Sequence, residues 1–197
     1  MQALSAEQLT SIAQARGVTY EALPSASPLT IATRMSREFP LSREFAYTAF
    51  ADPATHVRLF SIIRGSTTIP KEGIAKIVPP NQFYVLEHVE EQAVTPRLMF
   101  IRYTLNPPDT IIKEGVPDPF GDLDQIDPQA DKKKAKVILR FAERGANRTL
   151  VTIESEFQAS TGAVFMRGMI DHVWLNFFEN LMIETRELNV IDRMTQP

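Results

Sequence analysis

Apolar positions along the chain switch between helical and alternating spacing, and each switch marks an element. Ser5 and Gln8 form a capping box, Leu9 and Ile12 share a face, and Gly17 stops the turn, so the spacing predicts a short N-terminal helix. Pro24, Ser25, Ser27 and Pro28 break the chain, and Thr30 to Phe39 reads as a strand. Ser42 caps a helix carrying Phe45, Ala49 and Phe50, and Asp52-Pro53 ends it and opens a second short helix. Ser61 to Val78, Phe83 to Glu90 and Arg97 to Leu105 then read as a meander of strands. In the last of these Met99, Ile101, Tyr103 and Leu105 form the apolar set and are placed inward. Val137, Leu139, Phe141 and Val151, Ile153, Phe157 repeat the alternation as a hairpin through the Arg144-Gly145-Ala146-Asn147 turn. Asn106 to Asp131, with five prolines and seven acidic residues, reads as a long surface loop.

Gly162 to about Asn189 has the spacing of one long helix, roughly 40 Å at about 1.5 Å per residue. Met166, Met169, Ile170, Val173, Phe177, Leu181 and Leu188 form its apolar stripe, and Trp174, Phe178 and Met182 widen it. A second surface must therefore cover this helix: the N-terminal helix, the partner in a homodimer, or the walls of a cavity. These elements give an α+β domain over 30–190 preceded by a helical extension over 1–29.

Composition narrows the function classes. The 197 residues carry 21 Lys+Arg against 24 Asp+Glu, a net charge of −3, so no positive field exists to hold nucleic acid. The lysine run Lys132 to Lys134 with Lys136 reads as a solvated flank. Cysteine is absent, which excludes disulfides, thiolate nucleophiles and sulfur-ligated zinc. The start lacks a secretory pattern, and charged residues interrupt the most apolar window, Val164 to Ile183. The sequence thus predicts a cytoplasmic protein without a membrane span. Asp122, Asp124 and Asp127 lack EF-hand spacing, His56, His88 and His172 are scattered, and no phosphate-binding glycine motif occurs, so neither a metal nor a cofactor is predicted.

The order of strand, two short helices, antiparallel meander and long last helix resembles the START-like or Bet v 1-like superfamily, also called SRPBCC. The resemblance rests on Phe39-Pro40, on Phe45 to Asp52-Pro53 with His56 and Leu59, on Arg97-Leu98 after Pro96, and on Arg148 to Phe157 leading into Phe165 to Leu188. It implies a curved antiparallel sheet wrapped around the long C-terminal helix, the helix-grip arrangement, with a hydrophobic cavity between them. The extension before Thr30 and the acidic loop depart from that pattern. Family members include lipid carriers, polyketide aromatase/cyclases and co-chaperone modules.

The resemblance implies a lipid-like or polyketide-like ligand, lined by Met99, Ile101, Tyr103, Phe141 and Ile153 from the sheet and Met166, Met169, Ile170, Val173 and Phe177 from the helix. Tyr103 offers a phenol to a ligand carbonyl, and Arg102 or Arg140 would turn inward only if the register moved by one. Glu87 and His88 are neighbours on a strand, so only one faces the interior, and Asp171 and His172 diverge by about 100° on a helix. The rivals to simple binding are a cyclase or dehydratase that uses Tyr103, His88 or Glu87 for proton transfer, and an interaction module with a filled interior.

Overall fold

The computed structural model describes residues 4–25, 30–60, 63–70, 78–91, 94–117, 135–145, 147–158 and 163–195, without the side chains of 89–97, 163–167, 169–170 and 188–195. The elements are α1 (Ala6–Ala15), β1 (Thr19–Leu23), β2 (Thr30–Phe39), α2 (Arg43–Ala51), α3 (Pro53–Leu59), β3 (Ile63–Ile69), β4 (Gln82–Glu91), β5 (Val94–Asn106), β6 (Thr110–Val116), β7 (Ala135–Gly145), β8 (Arg148–Gln158) and α4 (Ala163–Thr195).

Local chemistry sets the boundaries. Ser5 and Gln8 close the capping box of α1, and Gly17 at φ +65° lets the Val18 and Gly17 amides reach the carbonyls of Ala13 and Gln14. The Ser42 hydroxyl caps α2, and Asp52 ends α2 and caps α3 ahead of Pro53. β2 and both short helices lie where the apolar spacing puts them.

Two strands were not legible. β1, in the extension, pairs with β2 at the sheet edge. β6 occupies Thr110–Val116, inside the stretch read as surface loop, because its flanking prolines outweigh a seven-residue alternation in which Ile111 and Lys113 are buried. The acidic remainder of that stretch, 118–134 with Asp122, Asp124, Asp127 and Lys132 to Lys134, lies outside the described residues.

The eight strands form one antiparallel curved sheet in the order β1-β2-β8-β7-β6-β5-β4-β3. α4, about 50 Å long by its 33 residues, lies against β2, α1 and α3. Among the described residues of its wide apolar stripe, Trp174 meets Phe60 edge-on and Phe178 packs on Phe39, both from within the chain. At Gly168 the backbone of Leu4 comes so close that an added Cβ would stand 2.9 Å from the Leu4 carbonyl oxygen, so the segment before α1 lies directly on α4.

Antiparallel register aligns the concave face into rows. Leu105, Ile111, Leu139, Ile153 and Met35 make one row, and beside it Phe50, Phe141, Phe177 and Phe178 fill the space under α4. This end is solidly packed. The next row is Phe83, Tyr103, Lys113, Val137, Ser155 and Thr33, which is half polar. Beyond it run Val85, Ile101, Gly115, Ala135, Phe157 and Ile31, among which Gly115, Ala135 and Phe157 are only partly buried.

Candidate functional site

The half-polar row carries two buried clusters, one on each side of Val137. On the β2 side the Asp171 carboxylate of α4 accepts from the Tyr20 hydroxyl at 2.8 Å and the Thr33 hydroxyl at 2.9 Å, and Thr33 also meets Ser155 at 2.7 Å. This cluster ties β1 and β2 to the helix. Every polar atom in it faces another protein group, so it fastens the fold.

The other cluster joins α3 to three strands. His56 is fully buried, and its Nε2 lies 3.0 Å from the Phe50 carbonyl oxygen, which can only accept. Nε2 therefore carries the hydrogen and Nδ1 presents its lone pair. Lys113 Nζ donates to that Nδ1 at 2.8 Å and to Glu87 Oε1 at 3.4 Å. The Tyr103 hydroxyl stands 3.1 Å from Nδ1 and 3.2 Å from Glu87 Oε1. With Lys113 on the imidazole, its single hydrogen goes to the carboxylate. Two of the three ammonium hydrogens are thus engaged, and Lys113 also sits 4.9 Å from the Tyr103 ring centre.

Burial governs the protonation of this quartet. It pushes His56 well below its ordinary value, and the Lys113 charge adds to the shift. It lowers Lys113, opposed by Glu87, and raises Tyr103 well above its ordinary value, with Glu87 adding to the rise. The group holds one cation, one anion, a neutral imidazole and a neutral phenol.

The His56 shift carries a pH signature. Below 6.5, its ordinary value, the unfolded chain takes up a proton that folded His56 refuses. Stability is full above that pH and falls as pH drops, by up to about 1.4 kcal/mol per unit. His172, lowered by burial and by Arg16, contributes in the same direction, so the test is a difference. Thermal melts from pH 7.5 to 5 should fall more steeply for the wild type than for His56→Gln, and parallel curves would remove His56 from this account.

Accessibility differs within the quartet. His56 and Tyr103 are sealed, whereas Glu87 and Lys113 keep 5% and 8% of their surface in contact with solvent. Both lie toward the less buried rows. Met99 stands across from Glu87 in register and is partly exposed, and Gly115, two positions beyond Lys113 on the same face, adds no side chain. An added Gly115 Cβ would find only ordinary contact with Ala135, at 3.6 Å.

No protein-family model and no curated protein matches the sequence. Solved structures do match in shape. A STAR-related lipid transfer protein from Xanthomonas axonopodis superposes with a TM-score of 0.66 at 13% identity, over 86% of this chain and 94% of that one. Human STARD10 gives 0.57 at 9% identity over 91% and 80%, and the Zhui aromatase/cyclase from Streptomyces sp. R1128 gives 0.53 at 13% over 77% and 93%. The chain has the START-like helix-grip fold. These superpositions show the architecture and leave the chemistry to the residues.

Within the helix-grip frame the inward set of β5 lies as its alternation predicts: Ile101 and Tyr103 are buried, and Met99 and Leu105 partly so. Phe141, Ile153 and Phe177 belong to the packed end, and Val173 is partly buried against the core. The side chains of Met166, Met169 and Ile170 lie outside the described residues. Glu87 faces inward and His88, across from Leu98, does not. Arg102 pairs outward with Glu114 at 2.6 Å and Arg140 is exposed, so the register is not shifted. Asp171 is buried and His172 only half so.

His56 and Lys113 are the functional candidates that sequence reasoning missed. The signal for Lys113 was the alternation of Ile111 and Lys113 against Ile112 and Glu114, hidden among prolines. Among the described residues no three His, Asp or Glu side chains are grouped to hold a metal, and no helix is long and apolar enough to cross a membrane.

Proposed function

We propose that this chain binds an apolar small molecule between the sheet and α4, with its chain along the Ile101, Gly115, Ala135 and Phe157 row and its one polar group at Lys113 and Glu87. The observation that carries this reading is the gradient across the concave face. A sealed aromatic floor gives way to a half-polar row, and that to apolar positions which stay partly accessible. Met99, Ile101 and Val173 line the guest, Tyr103 backs its polar pair from beneath, and Phe141, Ile153 and Phe177 form the floor. Met166, Met169 and Ile170 stay candidates for the guest by the sequence reading alone. The resemblance in shape to lipid-transfer and aromatase/cyclase structures supports a guest of this class.

Binding rests on burial, worth about 0.8 kcal/mol per methylene, while the polar pair orients the head. Affinity for straight-chain alcohols should therefore rise about fourfold per added carbon up to the length of the site. Gly115→Leu places new carbons on the accessible row and should weaken decanol binding about tenfold or more, with the melting temperature retained. Titration calorimetry with octanol, nonanol and decanol reads both effects. A Gly115→Leu variant that binds decanol as the parent does would remove the guest from this row. The cyclase alternative draws on the same quartet, because Glu87, backed by the Tyr103 hydroxyl, can hold or move a proton beside a bound carbonyl.

A further inference from the structure

Lys113 is out of place as a merely structural residue. Among the described residues it is the one buried lysine, yet a methionine would fill its inward position on β6 without desolvating a charge. Its amine stands 2.8 Å from a lone pair on His56 whose orientation the Phe50 carbonyl fixes, and 3.4 Å from a carboxylate. One hydrogen-bond acceptor and one carboxylate that can take a proton therefore meet one primary amine. The neighbouring inner positions Gly115 and Ala135 are small, and Lys113 keeps 8% of its surface in contact with solvent.

We infer that Lys113 is a nucleophile that forms a reversible imine with an apolar aldehyde or ketone held in the site. The inference rests on the binding reading above, and it names the carbonyl as the head group of the guest. The ammonium first gives a proton to Glu87, while His56 Nδ1 holds the nitrogen in place. The amine lone pair then makes the C–N bond while the carbonyl π pair moves to oxygen, and a proton passes from nitrogen to that oxygen to give the carbinolamine. The proton held by the acceptor goes to the hydroxyl, which leaves as water as the nitrogen lone pair closes C=N. Ammonium and carbonyl become iminium and water, with charge conserved and no oxidant or reductant consumed. Tyr103 hydrogen-bonds Glu87 and so positions the acceptor. Burial lowers the proton affinity of Lys113 and supports the free amine.

The test is reductive trapping of the whole folded chain with decanal and cyanoborohydride, read by intact mass and peptide mapping, beside a decanol binding titration. Decanol cannot form an imine, so it reports the site alone. The expected result is one alkyl adduct per chain, at Lys113, competed by decanol and lost in Lys113→Arg, which keeps the charge pair with Glu87. Glu87→Gln, folded by its melt, should slow trapping about a hundredfold while decanol affinity changes far less, which a purely structural carboxylate would not do. Lys136→Met, on the outer face, should leave trapping unchanged. Adducts spread over surface lysines, or trapping that persists in Lys113→Arg, would overturn the imine even where decanol binds. Failure of decanol to bind would instead overturn the site.

Discussion

Lys113→Ala is expected to lower the unfolding free energy by about 3–5 kcal/mol in chemical denaturation, among the largest losses from any single substitution in the chain. The substitution leaves Glu87 as a buried anion held by the Tyr103 hydroxyl, and it strips the ammonium donor from His56 Nδ1. The cost comes from the unpaired charge rather than from a missing attraction. A double variant, Lys113→Met with Glu87→Gln, removes both charges at similar volume and should recover most of the loss. Additive losses in the double variant would contradict the pairing that places both groups in one network.

Phe177→Ala should cost a similar amount, about 3–5 kcal/mol, by a different mechanism. Phe177 is fully buried; it stacks on Phe60 at 4.2 Å between ring centres and meets Phe50, His56 and Trp174. Its removal opens a void at the closed end of the interior, where no neighbouring side chain can collapse without leaving its own contacts. Denaturant unfolding gives the stability loss, and decanol affinity gives the contrast: the guest lies on the other side of the polar row, so its affinity should change far less than for Gly115→Leu. A large affinity loss in Phe177→Ala with full affinity in Gly115→Leu would reverse the assignment of open and closed ends.

These expectations depend on features that differ in how plainly the sequence states them. Cap residues speak locally, and Ser5, Ser42 and Asp52 announced their helices because a side-chain oxygen satisfies an amide a few residues away. Alternation with one apolar side placed Met99, Ile101 and Tyr103 inward for the same reason. β6 escaped because a lysine occupies an inward position, where the binary pattern expects an apolar residue, and because Pro107, Pro108 and Pro117 bracket it. β1 escaped because Thr19–Leu23 has no clear alternation and gains its order by pairing along the edge of β2.

The quartet was illegible for a related reason. His56, Glu87, Tyr103 and Lys113 come from one helix and three strands, and only register and the α3 packing bring them within hydrogen-bond distance. Local rules break at this site: a charge pair and an imidazole are buried where apolar groups would stabilise more simply. Such departures mark the residues on which function is to be sought.

A guest on the accessible side of the polar row would be seen by methionine methyl NMR during decanol titration, with Met99→Leu to assign the signal. Met99 faces the accessible rows across from Glu87, whereas Met35 lies sealed in the packed row. The Met99 methyl should shift and saturate while Met35 stays nearly unmoved. A Met99 signal that stays in place at saturating decanol, or a response centred on Met35, would contradict it.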